Sequence, residues 1–172
     1  MSNIKKTIII TGASSGLGYA LALQYARAGN KLFLFARSSE RLQEISELCR
    51  KCGTIVTSIT ADVTDAKLMQ KSIQKIIESN NVDIVIACAG VSAGTLGGVE
   101  TAEQVNKIFN TNVNGVLNTL MPIIPHMIQK KSGNIAIVSS MAGFFGLSSA
   151  PSYSASKGAV RLFAEGLRSE ER

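Results

Sequence analysis

TIIITGASSGLGYALALQYARAG, residues 7–29, changes character twice. Thr7 to Thr11 is a short β-branched run stopped by Gly12, the pattern of a strand buried on both faces. From Gly18 the composition turns helical, rich in Ala and Leu, and closes at Gly29. The turn between them, Thr11 to Gly18, is rich in glycine. Strand, glycine turn and helix together form the opening unit of a parallel α/β sheet.

The alternation continues along the chain. NKLFLFARS reads as a second strand, SERLQEISELCRKCG as a second helix ending at Gly53, and TIVTSITADV as a third strand. Asp65 to Ser79 carries Ala66, Met69, Ile73, Ile76 and Ile77 on one helical stripe. VDIVIACAG is a fourth buried strand. From Ala102 to Gln129 the stripe runs through Val105, Ile108, Val116, Leu120 and Ile124, with Pro122 and Pro125 expected to interrupt its second half. GNIAIVSS is a fifth strand, and a last helix begins at about Ser152. The expected architecture is one doubly wound, Rossmann-like domain over residues 1–172, with right-handed crossovers and helices on both faces.

Composition narrows the function classes. A hydrophobic content of 45% and a charged content of 17% over 172 residues fit one globular domain and argue against disorder. The net charge is +6, but the basic residues are scattered without interleaved aromatics, so nucleic acid is not an expected partner. No apolar run approaches the ~20 residues of a membrane span, and no signal peptide is evident. A cytoplasmic, reducing compartment is the expectation. Cys49 and Cys52 form a C-x-x-C at a helix end rather than a helix start, and His126 is the single histidine, so no metal site is expected.

In a doubly wound sheet, ligands bind beyond the carboxyl ends of the strands. Gly12, Ser14, Ser15, Gly16, Leu17 and Gly18 are therefore candidates to cradle a pyrophosphate at the start of the first helix. The spacing is G-x-x-x-G-x-G, neither G-x-G-x-x-G nor a P-loop. A tight turn without ligand is the plainer alternative. The second strand ends Ala36-Arg37, where NAD sites carry an acidic residue. A guanidinium can pair with a 2′-phosphate, which favours NADP(H), with NAD(H) as the alternative.

Tyr153 and Lys157 stand four residues apart, one helical turn, so the ammonium can lower the phenol's proton affinity. A phenol so placed serves an alcohol–carbonyl interconversion as acid or base. Ser139 and Ser140 close the fifth strand, where a hydroxyl could orient a substrate oxygen.

With these motifs in order, the chain resembles the N-terminal two-thirds of a short-chain dehydrogenase/reductase. The family's TGxxxGxG turn matches Thr11 to Gly18, and its acidic residue facing the adenine matches Asp62, followed by Val63. Its Tyr-x-x-x-Lys matches Tyr153 and Lys157, and its catalytic Ser, thirteen residues before the Tyr, matches Ser140. Its helix Asn matches Asn112, implied to hold a water in a proton relay through Lys157, which would also bind the nicotinamide ribose. One motif departs: the family's Asn-Asn-Ala-Gly is Ala87-Cys88-Ala89-Gly90 here. Ala89 and Gly90 still allow a close cofactor approach, and Cys88 reads as a small buried hydrophobe.

The resemblance implies hydride transfer between NADP(H) and a small-molecule carbonyl or alcohol, in a homodimer or homotetramer. Phe144, Phe145 and Leu147 give a slight preference for an apolar substrate. Members of the family continue past this last helix with a further strand, a substrate loop and a final strand, none of which is in these 172 residues. A non-catalytic nucleotide-binding or interaction protein on the same fold is the competing expectation.

Overall fold

Ile8, Ile9 and Ile10 are each fully buried, as a strand covered on both faces requires. In the computed structural model, which describes residues 5–92 and 98–170, these residues form β1 (Thr7–Thr11). It is followed by α1 (Gly16–Tyr25), β2 (Lys31–Ala36), α2 (Ser39–Lys51), β3 (Ile55–Thr60), α3 (Ala66–Ser79) and β4 (Ile84–Ala87). Then come α4 (Ala102–Phe109), a π-helical turn at Asn110–Asn114, α5 (Gly115–Leu120), α6 (Ile124–Lys130), β5 (Asn134–Ile137) and α7 (Pro151–Glu170).

The five strands are all parallel, in the order β3-β2-β1-β4-β5. The chain winds outward from β1 to β3, then crosses to β4 on the other side. The winding direction therefore reverses between β1 and β4, which opens a crevice at their carboxyl ends. Alternation along the strands divides the core. Ile8, Ile10, Leu32 and Leu34 pack with Ala22 of α1 and Leu42, Ile45 and Cys49 of α2. Ile9, Phe35 and Val85 pack on the other face with Met69 and Ile73 of α3, Val116 and Leu120 of α5, and Val160 of α7.

Local chemistry sets the helix ends. Ser38, Asp65 and Thr101 accept backbone N–H bonds from Arg41, Leu68 and Gln104, capping α2, α3 and α4. The long stripe read from Ala102 to Gln129 is interrupted at residues 121–123, beside Pro122 as expected, and also at the π-helical turn. Among the described residues no helix is long and apolar enough to cross a membrane.

The C-x-x-C pair is split between two environments. Cys49 is buried under α1, its thiol donating to the Ala22 carbonyl at 3.6 Å, whereas Cys52 is exposed. Burial pushes the Cys49 thiol from its ordinary 9.0 to about 11. At pH 8 only about one Cys49 in a thousand is thiolate. A maleimide pulse at that pH, followed by peptide mass analysis, should label Cys52 quickly and Cys49 only after unfolding. The same shift means the native state holds a proton that the unfolded chain releases above pH 9. Its contribution to stability is complete below that pH and is lost as pH rises toward 11.

Candidate active site

The turn from β1 into α1 is held open by two close backbone approaches. Gly12 has φ +71°, and a Cβ on it would lie 2.8 Å from Ala89 Cα, so the β1 and β4 ends meet only through glycine. A Cβ on Gly18 would lie 2.3 Å from the Gly12 carbonyl oxygen, so the helix start folds directly onto the turn. Ser15 gives α1 no side-chain cap, unlike the residues that open α2, α3 and α4. The first helical bond is Tyr19 N–H to Ser15 O, which leaves the N–H groups of Gly16, Leu17 and Gly18 for another acceptor.

These groups line a cleft of about 470 Å³ that runs over the carboxyl ends of the strands. Thirteen of the residues anticipated from sequence lie along it. They are Gly12, Ser14, Ser15, Gly16, Leu17, Gly18, Arg37, Asp62, Val63, Ala89, Gly90, Tyr153 and Lys157. Asn112 and Ser140 are not on its wall. Asn112 is fully buried beneath it, and Ser139 stands on the wall where Ser140 was expected. The Ser139 hydroxyl donates to the Lys157 carbonyl at 2.8 Å. Ser140 Oγ accepts from Ala142 N–H at 3.2 Å, so its own proton stays available to a ligand.

Asp62 spends one carboxylate oxygen on Thr64, accepting from its N–H and its hydroxyl, and keeps the other for the cleft. Ser38 and Arg41 join Arg37 on the wall. Neither arginine has a carboxylate partner among the described residues. Arg41 was not anticipated; it lies in the first turn of α2, whereas Arg37 precedes the helix, so no helical spacing links the two.

The Ala87-Cys88-Ala89-Gly90 segment keeps its place without the asparagine amides. Thr11 Oγ1 accepts from the N–H groups of Cys88 and Ala89 at 3.2 and 3.3 Å. Asn112 grips the next residue from the other side. Its Oδ1 accepts from Val91 N–H at 2.8 Å and its Nδ2 donates to Val91 O at 2.9 Å. The second Nδ2 proton goes to Ser156 Oγ at 3.0 Å. Both amide protons of Asn112 are thus committed to structure. Cys88 is half-buried, and burial raises its thiol above the ordinary value against the opposing pull of the Lys157 ammonium.

Lys157 is 5% exposed and donates from Nζ to Val138 O at 2.9 Å, with Nζ 5.9 Å from the centre of the Tyr153 ring. Burial pulls its ammonium below the ordinary lysine value, opposed by Cys88. A Cβ on Gly90 would touch both Lys157 Nζ and Asn112 Oδ1 at 3.3 Å, so the three converge at one point of the cleft floor.

The serines around Tyr153 and Lys157 were not legible as functional. Ser152 donates to Glu100, Ser154 Oγ accepts from Leu147 N–H, and Ser156 links Asn112 to the Tyr153 carbonyl. Each ties α7 to a different part of the chain. Phe144, Phe145 and Leu147, beyond Ser140, are exposed, and Arg161 stacks 4.6 Å over Phe144 while donating to Gly143 O.

Residues 6–172 match the model of the family described as short chain dehydrogenase. The chain belongs to that family. An uncharacterized oxidoreductase of Myxococcus xanthus (strain DK1622) is 39% identical to this chain over 164 residues, 95% of the chain and 65% of the relative. Among solved structures, a short-chain dehydrogenase/reductase from Burkholderia phymatum in complex with NAD aligns with a TM-score of 0.89 and 30% identity. That alignment covers 97% of this chain and 60% of that one. A short-chain dehydrogenase from Sphingobium yanoikuyae in complex with NADPH aligns with a TM-score of 0.85 and 29% identity, covering 96% and 65%. The chain thus spans somewhat under two thirds of the length of each of these relatives.

Proposed function

We propose that the cleft binds NADP(H) and that the protein interconverts a carbonyl and an alcohol, with carbonyl reduction as the working direction. The reading is carried by one observation: Tyr153 and the buried Lys157 line the same cleft as the uncapped start of α1 and the unpaired Arg37. The residues fit a dinucleotide. Gly16, Leu17 and Gly18 would receive the pyrophosphate on free N–H groups, Asp62 and Val63 the adenine, and Arg37 and Arg41 the 2′-phosphate. Lys157 would hold the nicotinamide ribose, and Ala89 and Gly90 would let the cofactor approach the sheet. When bound, the nicotinamide supplies or accepts the hydride at the substrate carbon.

The chain's own part is the proton. During reduction Tyr153 gives its phenolic proton to the oxygen that gains charge, and Lys157 stabilises the phenolate left behind. Ser140 hydrogen-bonds the substrate oxygen through its uncommitted hydroxyl. With both Asn112 amide protons engaged, any relay water at this residue rests on its backbone carbonyl, at the π-helical turn where the regular helix ladder is broken. The exposed Phe144 and Phe145 favour an apolar group on the substrate. Assembly as a dimer or tetramer and a cytoplasmic setting complete this reading.

The test is titration with NADPH and with NADH, followed by cofactor oxidation against a panel of ketones and aldehydes. Nucleotide binding with no carbonyl-dependent oxidation would favour the non-catalytic reading. Arg37→Ala and Arg41→Ala should each weaken NADPH binding by about ten- to a hundredfold, the size of one charge-assisted hydrogen bond. NADH affinity should not change, and equal losses for both nucleotides would remove the 2′-phosphate assignment.

A further inference from the structure

Helix α7 opens with Pro151, which has no N–H, so Ser152 carries the first donor of the helix. Its first turn contains no acidic residue. The missing negative charge arrives from 52 residues upstream. Glu100 Oε2 accepts from Ser152 N–H at 3.0 Å, and Oε1 accepts from the Ser152 hydroxyl at 2.8 Å. Ser152 is buried and Glu100 half-buried, so the pair is shielded from competing water. The next residue, Thr101, caps α4 through Gln104 N–H. Two consecutive residues therefore fix the starts of two helices, and the residue after Ser152 is Tyr153.

We infer that Glu100 is a positioning residue for Tyr153. It is not among the residues that line the cleft. Its two bonds set where the first turn of α7 begins, and with it the direction from which the phenol enters the cleft. The carboxylate also complements the positive end of the α7 dipole. The consequence for turnover rests on the proton-transfer role proposed above for Tyr153; the positional claim does not.

The experiment uses the protein labelled with 3-fluorotyrosine. Its three tyrosines give three ¹⁹F resonances, with that of Tyr153 assigned by its loss in Tyr153→Phe. Glu100→Ala and Ser152→Ala should each shift and broaden the Tyr153 resonance while those of Tyr19 and Tyr25, both in α1, hold still. The double variant should go no further than Glu100→Ala, since Ser152→Ala removes only the hydroxyl bond and keeps the one from the backbone N–H. Glu100→Gln, which keeps one acceptor, should fall between Glu100→Ala and the parent and guards against a variant that fails to fold. In the carbonyl assay, kcat should fall roughly five- to tenfold, the scale of one lost cap, with NADPH affinity unchanged. A Tyr153 resonance that stays in place while the melting temperature drops would reduce Glu100 to a plain helix cap. Joint movement of all three resonances would mean general loosening and would likewise overturn the assignment. If the parent shows no carbonyl turnover but Tyr153 still responds, the reductase reading fails and the positioning role stands.

Discussion

Tyr153→Phe is expected to lower carbonyl-dependent turnover by about 10²–10⁴-fold, the range removed with a positioned general acid. The substitution deletes one O–H and leaves the ring, so the packing of α7 and its ties through Ser152, Ser154 and Ser156 persist. The glycine turn, Arg37 and Asp62 lie on other elements, so NADPH affinity should stay within about threefold of the parent, because only a phenolic contact to the nucleotide is lost. Saturating both substrates and comparing kcat, with a separate fluorescence titration of NADPH, distinguishes lost chemistry from lost binding. A Phe variant within tenfold of the parent would mean that the proton comes from elsewhere.

Lys157→Met should move activity and stability in opposite directions. Turnover should fall by a similar 10²–10⁴-fold, roughly, since the phenolate would lose its stabilising charge. Stability should hold or rise by about 1 kcal/mol, ~2–4 °C in Tm, because a desolvated ammonium with one carbonyl partner is replaced by an apolar side chain of similar length. The pH dependence fixes the sign. Burial lowers the folded pKa of Lys157, so between that value and the ordinary one the unfolded chain binds more protons. Parent stability therefore gains with rising pH in that window, and the Met variant lacks the gain. Cys49 pulls the other way at alkaline pH, but it is common to both proteins and cancels in the difference. Denaturant melts of the pair from pH 7 to 10 give the measurement. A Met variant less stable than the parent throughout would show that Lys157 is held there by packing the structure needs.

The architecture was legible because its central strands are uninterrupted apolar runs and its turns carry glycine where no side chain fits, as at Gly12 and Gly18. The Tyr153–Lys157 pair was legible because helical spacing is a local property. What escaped the sequence depends on where topology delivers distant residues. Thr11 supports Cys88 and Ala89 across 77 and 78 residues, and Glu100 reaches Ser152 across 52. No spacing rule connects such partners. The π-helical turn at Asn112 is a different case: Asn110 to Asn114 are weak helix formers, which does not say where an extra residue falls, and Asn112 bonds there to Val91, after β4, and to Ser156 of α7.

The serine ties of α7 also bear on the order in which the site comes into being. Nucleotide contacts around Gly12 to Arg41 arise from neighbouring elements, β1, α1, β2 and the start of α2, whose ladder closes short loops. The proton-transfer half waits for Ser152 and Ser156 to meet partners 52 and 44 residues away. Short loops close at a lower entropic cost than long ones. During refolding the chain should therefore regain a grip on the nucleotide before it regains the Tyr153 geometry. For an interval it would be a receptor without chemistry, and stopped-flow NADPH fluorescence recorded beside the return of turnover would time that interval.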